Sequence, residues 1–95
     1  MSAVFCFSVH SEPSPSALPR VLEVFAHKGY VPDRCHSRLE GRDGQELSIE
    51  VQLAGLEPAE AGRLAKRLAR IVTVNTVLWS EKKQCVERSS PSSSC

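Results

Sequence analysis

Residues 17–31, ALPRVLEVFAHKGYV, constrain the fold more than any other part of the sequence, because they predict a helix with both ends marked. Apolar side chains recur there at the spacing that lines one helix face, at Leu18, Val21, Leu22 and Phe25. Ser16 precedes the stretch as a candidate N-cap, and Lys28 and Gly29 form a basic last turn with a C′ glycine. The sequence therefore predicts a helix between two strands, with the functional loops at its two ends.

Hydrophobic patterns predict four strands and a second helix around this first helix. The strands are expected at residues 4–9, 31–40, 46–53 and 72–79, with a turn at 41–44 and the second helix opening at Pro58. The side chains expected to face the core are Val31, Cys35 and Leu39 in the second strand, Leu47, Ile49, Val51 and Leu53 in the third, and Ala61, Leu64, Ala65 and Leu68 in the second helix.

The order strand, helix, strand, strand, helix, strand predicts an α+β fold of the ferredoxin-like βαββαβ type. In this sandwich, a four-stranded antiparallel sheet carries two helices on one face. The other sheet face stays uncovered in one chain. Val4 and Cys6 point to one side of the first strand and Phe5 and Phe7 to the other, so apolar side chains reach the open face in either register. We therefore expect self-association.

The length of the chain is sufficient for one small domain. Its nearly balanced charges create no strong electrostatic attraction for nucleic acid or anionic membranes. The 95 residues are 41% hydrophobic, and 12 Lys and Arg face 11 Asp and Glu. We expect a domain over residues 1–80, followed by a polar, disordered tail at 81–95. No apolar run is long enough to span a bilayer and no secretory signal is recognised, which predicts a cytoplasmic protein. Cys6 and Cys35 fall on strands that this topology separates, so no disulfide is expected between them.

Two segments resemble a known family. The run ALPRVLEVFAHKGY (residues 17–30) resembles the first helix of ACT domains, which are small amino-acid-sensing regulatory modules. KRLARIVTV (residues 66–74) resembles the second helix and last strand of the acetolactate synthase small subunit, a member of that group. The similarity extends over about residues 4–80 and is greatest to the short, single-domain form of this small (regulatory) subunit.

The resemblance implies a non-catalytic homodimer that activates the large catalytic subunit of acetolactate synthase and responds to a branched-chain amino acid. In relatives the effector lies between the loop after the first strand of one copy and the end of the first helix of the other. The corresponding residues here are His10, Ser11, Pro15, Ser16, Ala17, Leu18, Tyr30, Val31 and Pro32. Ser16 replaces a family glycine and Val31 a family asparagine, which predicts a weak or absent response to the amino acid. The alternative is a free-standing ACT homodimer that binds an amino acid or small carboxylate for another client.

Other functions have weaker support in the sequence. His10, His27 and His36 lack metal-ligand spacing, and no catalytic triad, paired acids or phosphate loop is recognised. We therefore expect no enzyme activity, catalytic residue, metal or cofactor. RNA-recognition motifs share this strand order, but the third strand lacks the aromatic residues that stack on bases. The stripe Arg34, His36 and Arg38 is interpreted as a solvated outer face, not as a nucleic-acid site.

Overall fold

A computed structural model of the protein describes residues 3–83. Its elements, in chain order, are β1 (Ala3–Ser11), α1 (Ala17–His27), β2 (Arg34–Glu40), β3 (Glu46–Ala54), α2 (Pro58–Ala69) and β4 (Val74–Lys83). The strands form one sheet in the order β2-β3-β1-β4, and every neighbouring pair is antiparallel. The structure confirms the predicted ferredoxin-like fold.

The core lies between the sheet and the two helices. Phe5, Phe7 and Val9 of β1 point inward, and the register pairs them with Leu53, Val51 and Ile49 of β3. The two helices cover these side chains with Val21, Phe25, Ala61, Leu64, Ala65 and Leu68. The rings of Phe7 and Phe25 meet edge to face, with centroids 5.4 Å apart. The inward residues predicted for β3 and α2 are confirmed, apart from Leu47, which is only partly buried.

The C-terminus of α1 is a complete Schellman motif. The amide of Gly29 donates to the carbonyl of Ala26 at 2.9 Å, and the amide of Tyr30 donates to the carbonyl of Phe25 at 2.9 Å. Gly29 has a φ of 82°, a conformation that side chains disfavour. The predicted helix end is therefore confirmed. At the other end Ser16 is the N-cap residue as predicted, but its side chain makes no capping hydrogen bond.

β2 differs from its prediction because it is an edge strand that the helices do not cover. It begins at Arg34, so Val31 precedes it and is 83% exposed. Cys35 and Leu39 share the helix-bearing face of the sheet with Val51 and Leu47, but both are exposed, and Leu39 is 60% exposed. The prediction that these three side chains enter the core is wrong.

β4 begins later and ends later than predicted. Val72 lies in the turn before the strand and is 93% exposed, and the strand continues through Lys83. The cause is pairing with β1, which brings residues 81–83 opposite residues 5–3. These three residues belong to the predicted tail, and its remainder, residues 84–95, lies outside the described residues.

Two further expectations concern the cysteines and membrane-spanning segments. β3 lies between the strands of Cys6 and Cys35, and no disulfide joins these two cysteines. Partial desolvation of the Cys35 thiol raises its pKa. Cys85 and Cys95 lie outside the described residues. Between residues 3 and 83, neither helix has the length and apolar character needed to cross a membrane.

Candidate functional site

The first half of the predicted effector site lies where β1 passes into α1. The amide of Glu12 donates to the carbonyl of Thr73 at 2.9 Å and ties this loop to the turn before β4. The two segments enclose a shallow cavity of about 240 Å³, lined by Ser16, Arg20, Ile71, Val72 and Thr73. The sequence did not indicate that the turn before β4 would form this wall, because the contact joins segments that are far apart in the chain.

The other residues predicted in this half of the effector site do not line the cavity. Ser11 is buried, and its hydroxyl donates to the carbonyl of Glu12 at 2.7 Å. Ala17 is fully buried and Leu18 packs against the core, whereas Pro15 is exposed. Ser16 is therefore the predicted residue that the structure places at the cavity.

The second half lies at the opposite end of α1. Tyr30 packs against the core, Pro32 is partly buried, and Val31 is exposed. Asp33 anchors this junction to the end of β3. Its amide donates to the carbonyl of Gln52 at 2.8 Å, and its carboxylate accepts from the amide of Ala54 at 2.7 Å.

One chain does not bring the two halves together. α1 has 11 residues, which at 1.5 Å per residue separates its ends by about 16 Å. His10 is also apart from the rest, because its side chain lies on the open sheet face, while α1 lies on the other face. It contacts Glu46 there, with 3.3 Å between Nδ1 and Oε2.

The open sheet face is mainly polar. Val4 and Cys6 reach it as predicted, and Leu78 of β4 and Ala54 of β3 join them. The other side chains on this face are Ser8, His10, Arg34, His36, Arg38, Glu40, Glu46, Ser48, Glu50, Gln52, Thr76, Ser80 and Lys82. A cavity of about 370 Å³ lies over its β2 and β3 strands. The exposed apolar area is therefore smaller than the sequence suggested.

This composition gives no base-stacking platform for RNA. Phe5 and Phe7 are buried under the helices, so neither can stack on a base. The predicted stripe of Arg34, His36 and Arg38 does lie on the open face, with His36 directly opposite Glu50. This acidic neighbour on the adjacent strand β3 favours the interpretation as a solvated surface.

The order of the helices and strands defines a small α+β domain of the ferredoxin-like type. A family model described as "ACT-like domain" matches residues 1–86, and the chain belongs to this family. None of the curated proteins matches the chain in sequence.

Solved structures with the same fold accompany this match. The ACT domain of GTP pyrophosphokinase from Chlorobium tepidum superposes with a TM-score of 0.68 at 10% identity, covering 84% of this chain and all of that one. The C-terminal domain of the MgtC protein from Mycobacterium tuberculosis has a TM-score of 0.69 at 16% identity, covering 90% and 94%. The regulatory subunit of aspartate kinase from Thermus flavus has a TM-score of 0.61 at 13% identity, covering 87% and 53%. At these identities the likeness shows the fold alone.

Proposed function

We propose that the protein is a non-catalytic regulatory domain of the cytoplasm that pairs with a second copy and controls a catalytic partner. The observation that carries this proposal is the position of the two halves of the predicted effector site. They lie at opposite ends of α1, each at the surface, and one chain cannot join them. A second copy placed with its α1 antiparallel to the first would bring the start of one helix to the end of the other.

The cavity at the start of α1 suits a small carboxylate. Arg20 supplies a cation, the helix N-terminus supplies a positive dipole end, and Ile71 and Val72 supply apolar surface. The donors are few, however. Pro19 has no amide hydrogen, and the amide of Ala17 already donates to the carbonyl of Ser14 at 3.0 Å. These features favour weak binding, in agreement with the replacements at Ser16 and Val31.

The catalytic partner we propose is the large subunit of acetolactate synthase, which rests on the resemblance of residues 17–30 and 66–74. The solved relatives belong to several other enzymes, among them GTP pyrophosphokinase and aspartate kinase. The alternative is therefore a free-standing homodimer that binds an amino acid or small carboxylate for a different client.

Two measurements test the proposal. Light scattering after size-exclusion chromatography should give the mass of a dimer. Adding the protein to an acetolactate synthase large subunit should raise its activity, with little inhibition by valine. A monomer that leaves the activity unchanged would contradict both the pairing and the client.

A thermal-shift panel of amino acids separates the two candidates. A ligand at 100 times its Kd stabilises by about 2.7 kcal/mol, which raises the Tm of a domain this small by roughly 10 °C or more. A shift of this size with valine, leucine or isoleucine favours the free-standing sensor. Arg20→Gln should abolish that shift, whereas Arg67→Gln, at an exposed position on α2, should retain it.

A further inference from the structure

Three potential metal ligands converge on the open sheet face, away from the cavity at α1. They are His10 near the end of β1, Glu40 at the end of β2 and Glu46 at the start of β3. One ligand atom from each lies within 4.8 Å of the other two. Two ligands of one ion are at most about 4.2 Å apart at bond lengths near 2.1 Å, so side-chain adjustments of under about 1 Å would close the site.

Strand register explains why the three side chains meet. Glu40 is directly opposite Glu46 in the β2–β3 ladder, and His10 is opposite Ser48, one step along the same face. The two carboxylates therefore face each other, an arrangement that destabilises a sheet unless a cation compensates. In the chain alone His10 contacts Glu46 at 3.3 Å, and Nε of Arg38 donates to Glu40 at 3.2 Å.

We propose that His10, Glu40 and Glu46 bind one divalent transition-metal ion. One imidazole nitrogen and two carboxylate oxygens suit Zn²⁺, Mn²⁺ or Co²⁺. An ion of charge two bound to both carboxylates relieves their repulsion more directly than His10 on Glu46 and Arg38 on Glu40 do separately. All three side chains are partly exposed, so an ion reaches them without opening the fold. Three protein ligands also leave coordination positions for water or for a second molecule.

Mn²⁺ is the sharpest probe, because it prefers oxygen and imidazole ligands and avoids the cysteines of this chain. In ¹H–¹⁵N NMR spectra, substoichiometric Mn²⁺ should broaden the signals around the β2–β3 turn and the end of β1 first. Titration with Zn²⁺, followed by calorimetry, should saturate at one ion per chain.

Variants decide whether this cluster holds the ion. His10→Gln and Glu46→Gln should each weaken binding roughly tenfold or more. His36→Gln and Glu50→Gln are matched controls, because they remove a histidine and a glutamate that face each other on the same sheet face. Among residues 3–83 this pair has no third metal ligand beside it, so binding should persist. Arg38→Gln should tighten binding, since it frees Glu40 from its ion pair.

The proposal is overturned by no binding up to about 1 mM ion, or by binding that both His10→Gln and Glu46→Gln leave unchanged. Equal losses in the His36→Gln control would also overturn it, because they would indicate diffuse attraction of cations to the open face. Circular dichroism of each variant shows that it is folded before its affinity is compared.

Discussion

Replacing Gly29 and Gly62 separately by alanine should change stability in opposite directions. Gly29 ends α1 with a φ of 82°, and a Cβ added there meets no atom within 4 Å. The cost of the replacement is therefore that of the backbone alone. A left-handed conformation costs a residue with a Cβ about 1–2 kcal/mol. Alanine also lowers the conformational entropy of the unfolded chain, which offsets this cost by about 0.4–1 kcal/mol. The net loss should be roughly 0.5–1 kcal/mol.

Gly62 lies inside α2, where alanine is favoured over glycine by about 0.8–1 kcal/mol. A Cβ at this position would lie 3.6 Å from Cζ2 of Trp79, an ordinary van der Waals contact. Gly62→Ala should therefore stabilise the domain by nearly that amount. The two variants should differ by about 1.5–2 kcal/mol, which corresponds to roughly 10 °C in Tm.

Thermal and urea unfolding, followed by circular dichroism, measure both variants. Gly29→Asn is the control for conformation, because asparagine tolerates positive φ and should lose less stability than alanine. If Gly29→Ala were as stable as the unmodified protein, the Schellman motif at the end of α1 would not be what fixes the path to Tyr30. If Gly62→Ala were destabilising, the contact with Trp79 would be tighter than the structure shows.

Three further substitutions test single interactions. The hydrogen bond from Arg63 lowers the pKa of Glu60. The stability that ionised Glu60 contributes is therefore fully present above the ordinary carboxyl pKa and is lost as the pH falls through the lowered pKa. Glu60→Gln should reduce the loss of Tm between about pH 6 and pH 3. Thr73→Val should raise stability by about 1 kcal/mol in urea unfolding, because Thr73 Oγ1 is buried without a hydrogen-bond partner among the described residues. Asp33→Ala should cost about 0.5–1.5 kcal/mol, because the amide of Ala54 loses its acceptor at 2.7 Å.

Each of these has a control that changes the same residue type at an exposed position. Glu23→Gln removes an exposed acid from α1, Thr76→Val changes an exposed threonine of β4, and Asp43→Ala changes an exposed aspartate in the β2–β3 turn. All three should leave stability nearly unchanged. An acid response in Glu23→Gln equal to that in Glu60→Gln, for instance, would indicate a general charge effect and not the bond from Arg63.

Local patterns predicted those parts of the fold in which periodicity and burial coincide. The alternation through Ile49, Val51 and Leu53 is correct because β3 is an inner strand with the helices above it. The same reasoning failed at Leu39, because coverage of an edge strand depends on where the helices pack. α2 packs on β1 and β4, at the other side of the sheet. The predicted end of β4 was wrong for a similar reason, because pairing with β1 determines where β4 ends.

Local sequence patterns also located only those parts of the candidate sites that do not depend on long-range contacts. The helix-capping pattern marked both ends of α1, but it could not show that the turn at residues 71–73 forms a wall of the cavity. His10, Glu40 and Glu46 have no telling spacing, because they come from three strands and meet only through the register of the sheet. Their proximity depends on long-range pairing, which local patterns do not contain.

The polarity of the open face bears on how two copies would pair. Joining two open faces would bury charged side chains such as Arg34 and Glu50, at a cost of several kcal/mol per ion unless each finds a partner. Pairing beside β2 avoids this cost. Because α2 packs over β1 and β4, we infer that α1 lies on the side of the sheet nearer β2. A two-fold axis beside β2 and perpendicular to the sheet would set the two α1 helices antiparallel. This arrangement would join the halves of the proposed effector site.

Leu39 and Leu78 distinguish these two modes of pairing. They are almost equally exposed, at 60% and 59%, but Leu39 lies on the edge strand β2 and Leu78 on the open face over β4. If copies pair beside β2, Leu39→Lys should weaken the dimer roughly tenfold or more, since it places a charge in a desolvated contact. Leu78→Lys should then leave the dimer intact. Sedimentation equilibrium of both variants measures this directly, and the reverse result would refute pairing beside β2 in favour of pairing through the open face.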